Sequence, residues 1–237
     1  MVLPISAREI VRFTPPSLDL PRAERGLAEA RKAEAELPAP GVDGAPSEQA
    51  RQLAADRVAA AELTVGIVGE RVAALGRPVP VYHLKVVTRA DRARFYREMA
   101  IAGAVSVTDA ELYQAIGLAI ADADPADRPE MEGIVDRSAR GQASPDDLQR
   151  LATIERQVST HPAISSWRSC RSFWTQMQPV ILTRLFLLGW ENGPGAYAAA
   201  GGVATEQTVG LIDDDDMAEI EGRLVSLMVL AGRPAKN

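Results

Sequence analysis

The sequence predicts a mainly α fold: a helical domain carrying a small two-stranded β element and an inserted α-helical hairpin. Three observations lead there. Alanine is abundant and aromatic residues make up only 5% of the 237 residues, a mixture that favours helix over sheet. Apolar residues recur at intervals of three and four through most of the chain, the period of one helix face. Two short stretches instead carry strand character.

The first strand signal is Glu9 to Phe13 (EIVRF), alternating in polarity and closed by Thr14-Pro15-Pro16. The second lies far downstream at Val79 to Val87 (VPVYHLKVV), where Pro80 marks a strand start or an edge. The two are expected to pair.

Between them, Pro21 to Arg77 is dominated by alanine, glutamate and arginine and lacks aromatic residues. Pro21 opens a helix ending near Leu37, Pro38 to Ser47 forms a turn, and a second helix runs from Ser47 to Leu75 before Gly76 and Pro78. Ala50, Leu53, Ala54, Val58, Ala61, Val65, Val68, Val72 and Leu75 give that helix a small apolar stripe suited to close antiparallel pairing or coiled-coil contact with a partner. Leu53, Val58, Val65, Val68 and Val72 are the candidate partner-binding residues. Residues 1–21 and 78–237 are expected to form the α-rich core domain with the strand pair, and residues 22–77 the inserted hairpin.

Downstream, Thr88 and Asp91 start a helix with Phe95, Met99 and Ala102 on one side, ended by Gly103. Thr108 and Glu111 form a T-x-x-E capping box ahead of Leu112, Ile116, Ala119, Ile120 and Ala123, and Asp124-Pro125 stops the run. Met131, Ile134 and Val135 mark a short helix. Ser144-Pro145-Asp146-Asp147 opens another, whose inward stripe is Leu148, Leu151, Ile154 and Val158.

Trp167, Cys170, Trp174, Met177, Ile181, Leu185 and Leu188 share one face of a long helix, and the core is expected there. Pro179 should kink or restart that helix, which runs to Gly189. A turn at Asn192 to Gly195, a flexible small-residue loop at Ala196 to Gly202 and a one-turn helix capped by Thr205 follow. Asp213 to Asp216 then precede a last amphipathic helix carrying Met217, Ile220, Leu224 and Met228. No internal repeat is present.

Composition narrows the function classes. A net charge of −6 repels a phosphate backbone, and the basic cluster Lys85, Arg89, Arg92, Arg94 and Arg97 scatters around a helix without an aromatic stacking set, so nucleic acid is not an expected partner. A single cysteine, Cys170, permits no intramolecular disulfide and suits a reducing compartment. The opening MVLPISAREIVRF does not read as a signal peptide. The longest apolar run, Val180 to Trp190, is interrupted by Thr183 and Arg184 and is too short to cross a bilayer.

Nucleophilic catalysis needs a nucleophile, a base within hydrogen-bond reach and a group to orient it, and histidine supply limits this. His83 sits in the second strand and His161 before Pro162, neither beside a G-x-S-x-G turn. Cys170 has cationic neighbours, Arg168 and Arg171, that could lower its thiol pKa, but its place on the apolar stripe reads as packing. Zinc ligand spacings and phosphate-binding glycine motifs are lacking, and Asp213 to Asp216 read as a helix start and not as a cation loop. No catalytic, cofactor-binding or metal residues are expected. The chain reads as a binding protein and not as an enzyme.

Its arrangement resembles the tail assembly chaperones of long-tailed bacteriophages. The resemblance is carried by RFTPPSLDLP (Arg12 to Pro21) with PVPVYHLKVVTRADRARFYREMAIAG (Pro78 to Gly103), by TRLFLLGWENGPG (Thr183 to Gly195) and by GGVATEQTVGLIDDDDMAEI (Gly201 to Ile220), together about three tenths of the chain. These motifs encode packing and turns. The resemblance implies a small α-rich protein of the host cytoplasm that binds the tape-measure protein and keeps that long helical chain soluble until tail-tube subunits displace it. It implies no cofactor, membrane or nucleic acid, and no residue role carries over singly. Arg22 to Gly76 departs from the family pattern and reads as an insertion: a client-binding arm, an oligomerisation coiled coil that would make a homo-oligomer, or decoration. The competing expectation is a structural virion component, a tail connector or adaptor, without catalytic activity.

Overall fold

The computed structural model describes residues 10–38 and 47–231. The fold is mainly α. Two compact units divide it: Met1–Arg92 with Leu182–Asn237, and Ala93–Ile181.

In the first unit β1 (Ile10–Phe13), β2 (Val81–Lys85) and β3 (Leu187–Glu191) form an antiparallel sheet in the order β1-β2-β3. The expected pair is there, with Phe13 opposite Tyr82 and Ile10 opposite Lys85. Glu9, expected at the head of the first strand, lies outside the described residues. The sheet has a third strand that helical periodicity concealed. Leu187, Leu188 and Gly189 alternate buried, exposed, buried; Leu187 pairs with Leu84 and Gly189 with His83 around an irregularity at Leu188, so the long helix ends at Phe186 instead of Gly189. Tyr82 and Leu84 point from β2 into the core, both fully buried.

Helices α1 (Leu20–Ala35) and α2 (Glu48–Ala74) pack as the expected hairpin. Asp19 caps α1 by accepting the Arg22 N–H at 3.0 Å, and Ser47 caps α2 through the Ala50 N–H at 3.2 Å. Arg31 pairs with Glu62 at 2.7 Å and Arg51 donates to the Pro38 carbonyl, pairings that fix the antiparallel sense. Most of the turn expected between the helices, residues 39–46, lies outside the described residues. The hairpin shares the first unit with the sheet.

Helix α3 (Arg89–Ile101) opens in the first unit on a reciprocal cap. Asp91 accepts from the Thr88 N–H and hydroxyl, at 3.1 and 2.8 Å, and from Lys85 Nζ at 2.6 Å.

The second unit is built on α4 (Asp109–Ala123), α5 (Arg128–Ala139) and α6 (Pro145–Gln157). Ile116, Ile120, Met131, Ile134 and Ile154 are buried there with Ile164, from the start of α7 (Pro162–Phe186). The predicted capping box opens α4 at Thr108/Glu111, and the predicted Ser144 cap of α6 is a reciprocal box with Asp147. Leu148, expected on the inward stripe of α6, is 53% exposed, while Leu151, Ile154 and Val158 of that stripe pack on the core as expected.

The first half of α7 corrects the expectation of a core. Trp167, Cys170, Trp174 and Met177 are only half-buried, and on this stripe Ile181 and Leu185 are buried. Leu188, assigned to the same face, belongs to β3 and is exposed. Serine, threonine, glutamine and arginine fill the remaining faces of this half, so only a narrow stripe is available for packing. The helix continues through Pro179.

One further correction concerns the C-terminal segment. Ala196 to Gly202, expected as a flexible loop, contains β4 (Ala199–Ala200), paired with β5 (Val203–Ala204) across Gly201-Gly202, both at positive φ as a tight hairpin turn requires. The Asn192 to Gly195 turn is fastened by hydrogen bonds from Trp190 Nε1 to the Gly195 carbonyl at 2.8 Å and from Arg77 to the Asn192 carbonyl at 2.5 Å. A Cβ on Gly193 would lie 2.2 Å from the Trp190 ring. Gly193→Ala is therefore expected to displace Trp190 and to cost about 1–3 kcal/mol, read as a lower urea midpoint with reduced tryptophan near-ultraviolet signal.

Helix α8 (Glu206–Val209) carries the expected Thr205 cap, and α9 (Asp214–Ala231) buries Ile220 and Leu224 completely, with Met217 and Met228 nearly so.

Candidate functional site

Helix α2 has two apolar sides. One is the predicted stripe, where Val68 is buried and Val58, Val65 and Val72 are half-buried against α1. Of the five candidate partner-binding residues, only Leu53 stands outward, 53% exposed. The outward side carries Leu53 together with Leu63 at 66% and Ile67 at 49%, the last two overlooked by periodic reading of the inner stripe.

In the second unit, α3 and α7 place an aromatic group at the surface. Trp174 meets Phe95 edge-on at 6.3 Å and stacks on Tyr96 at 6.4 Å with 28° between planes. Tyr96 is 54% exposed and Phe173 41%. Trp167 donates to the Thr108 carbonyl at 3.0 Å, and the Arg171 guanidinium lies over its ring at 5.1 Å. A shallow hollow of about 370 Å³ runs along α7 beside Trp167, Arg168, Arg171, Ser172, Thr175 and Gln176. Arg168 and Arg171 are already paired, with Glu155 at 2.8 Å and Asp109 at 3.2 Å, so the surface is neutral and aromatic instead of cationic. The sequence signal for it was the polar filling around Trp167 to Trp174, which marks a surface stripe.

The groups screened for chemistry are engaged structurally. His83 Nε2 pairs with Glu191 at 3.1 Å on the outer side of the sheet. His161 accepts the Ala163 N–H through Nδ1 at 3.3 Å and donates from Nε2 to Asp122 at 3.0 Å, an arrangement that caps α7. The four consecutive aspartates diverge: Asp213 accepts the Asp216 N–H at 2.8 Å, Asp215 pairs with Arg71 at 2.5 Å, and Asp216 turns into the core to accept from Tyr82 at 2.5 Å. Among the described residues, no group of three or more His, Cys, Asp or Glu is placed to hold a metal ion. No described helix is long and apolar enough to cross a membrane.

Comparison of the chain with family models, curated proteins and solved structures found no match.

The carboxylates give a pH dependence with two signs. Burial alone would raise the Asp91 carboxyl, but donation from Lys85 and Thr88 outweighs it and holds the group below its ordinary value. The Thr108 backbone and hydroxyl lower Glu111, and the Arg137 guanidinium with Ser144 lowers Asp147. Stability from these three groups is present above about pH 4, the unfolded carboxylate range, and is lost as pH falls through their lower folded values. Asp216 acts oppositely: burial raises it, with Asp213 and Glu219 adding to the rise against the lowering hydrogen bond from Tyr82. Its protonation favours the folded state as pH falls through that raised value. Urea midpoints should therefore decline on acidification, and Asp216→Asn should decline more steeply than the parent because it removes this compensating protonation.

Proposed function

We propose that this protein is a tail assembly chaperone of a long-tailed bacteriophage, binding apolar helical segments of the tape-measure protein and keeping them soluble in the host cytoplasm until tail-tube subunits replace it. The reading rests on the resemblance of the three sequence passages. The observation that carries it onto the molecule is the half-exposed aromatic stripe of α7, where Trp167 and Trp174 with Tyr96 of α3 offer apolar surface beside paired charges. Large aromatic side chains in such a setting supply contact area to an amphipathic helix at small entropic cost. An exposed stripe of this kind on a folded domain marks an interaction surface more often than a packing defect. In this reading the protein acts by binding and is not an enzyme.

The test is co-expression with the tape-measure protein encoded by the same phage. That client should partition into the soluble fraction and co-purify with this chain, and Tyr96→Ser should weaken its retention while keeping the parent circular dichroism spectrum. A client equally insoluble with and without the chain would sink the proposal. Presence of the chain in stoichiometric copies in purified particles would favour a structural virion component instead.

A further inference from the structure

We propose that the outward side of α2 pairs with α2 of a second copy of this chain, in parallel and in register. The inference stands apart from the client-binding reading, which uses α7.

Leu53, Ala60, Ile67 and Ala74 recur every seven residues along α2, and all four are exposed. Leu63 lies on the same side, also exposed. A repeat of seven keeps one line of a helix facing a straight neighbour once the two wrap slightly around each other. The opposite side, Val58 to Val72, is occupied by α1. A helix of 27 residues, about 40 Å long, with apolar residues on two sides is built to lie between two neighbours, and the chain itself supplies one.

Charge identifies the second neighbour and its direction. Asp56 and Glu70 flank the repeat on one edge, three residues after Leu53 and Ile67, while Arg57 and Arg71 flank it on the other, four residues after. The two edges carry opposite signs. A two-fold axis parallel to the helices sets the acidic edge of each copy against the basic edge of the other at nearly equal height, so that Asp56 meets Arg57 and Glu70 meets Arg71, each twice. An antiparallel pair brings Asp56 to Glu70 and Arg57 to Arg71, like charge against like. Exposed ion pairs are individually weak, so the apolar line supplies most of the attraction and the charges select the orientation. Arg57 and Glu70 make no ion pair with other described residues, and Arg71, bound to Asp215, keeps 40% of its side chain exposed. Alanines at Ala60 and Ala74 let the two backbones approach closely.

Sedimentation equilibrium of the full chain from about 1 to about 100 μM should show a monomer–dimer equilibrium. Arg57→Glu should weaken it at least about tenfold by placing acid against acid, and Asp56→Arg/Arg57→Glu should restore it. With Cys170→Ser, an Ala60→Cys variant should cross-link to itself on mild oxidation, since Ala60 faces its own copy only in the parallel arrangement. A chain that is monomeric throughout that range overturns the proposal. So does a dimer indifferent to Arg57→Glu, a dimer that Ala60→Cys fails to cross-link, or a monomer whose α2 surface is covered only by an added tape-measure segment.

Discussion

Replacing Tyr82 by alanine is expected to lower the stability of the first unit by about 3–5 kcal/mol, among the largest single-site losses in the molecule. The ring is fully buried in the central strand of the sheet and meets Trp190 edge-on at 6.2 Å, and its hydroxyl donates to Asp216 at 2.5 Å. The alanine variant leaves a cavity and strips a buried carboxylate of its donor, two costs that act together. Tyr82→Phe separates them. It keeps the ring and removes only the donor, for an expected loss of about 1–3 kcal/mol. The phenol itself stays protonated across the accessible range, because burial, with the hydrogen bond to Asp216, raises its pKa far above that of a free tyrosine. In Tyr82→Phe the Asp216 carboxyl, no longer lowered by the hydroxyl, should titrate higher still. The gap between this variant and the parent should then narrow as pH falls through that value, because a protonated Asp216 has no charge to desolvate. Urea denaturation at neutral and mildly acidic pH measures both effects, and a gap that widens on acidification would show that Asp216 is not the group exposed by the loss.

The Tyr82–Asp216 bond also shows where sequence reading stops. Local rules placed both residues in the right elements: β-branched and aromatic content marked β2, and acidic residues before an apolar stripe marked the start of α9. Nothing local indicates that one aspartate of four turns inward to a tyrosine 134 positions away. Caps were legible at Ser47, Thr108, Ser144 and Thr205, because capping is a contract between residues two or three apart. The third strand was not, since Leu187 and Leu188 continue the helical spacing of α7 and only pairing with β2 makes them extended. What covers each apolar stripe was not legible for the same reason. Spacing of three and four locates a stripe but not what covers it: α1 covers most of the α2 stripe, and the tryptophans of α7, read as core, are half-buried.

In the second unit, Ile120→Ala is expected to lose about 2–5 kcal/mol, whereas Leu118→Ala in the same helix should change stability by less than about 0.5 kcal/mol. Both sites lie in α4 and both changes replace a four-carbon side chain with a methyl group, so helix propensity contributes almost equally to each. The difference is packing. Ile120 has no exposed surface and belongs to the cluster with Met131, Ile134 and Ile154, while Leu118 is 59% exposed. The contacts that Ile120 loses cannot be recovered, because α4 is held at its start by the Thr108/Glu111 box and stopped by Asp124 in a left-handed conformation, which limits how far the helix can shift into the space. Native-state hydrogen exchange should locate the loss: protection should fall in α4, α5 and α6 and stay unchanged in β2 and α9 if the two units unfold separately. Equal loss of protection in α9 would instead make the whole chain one cooperative block.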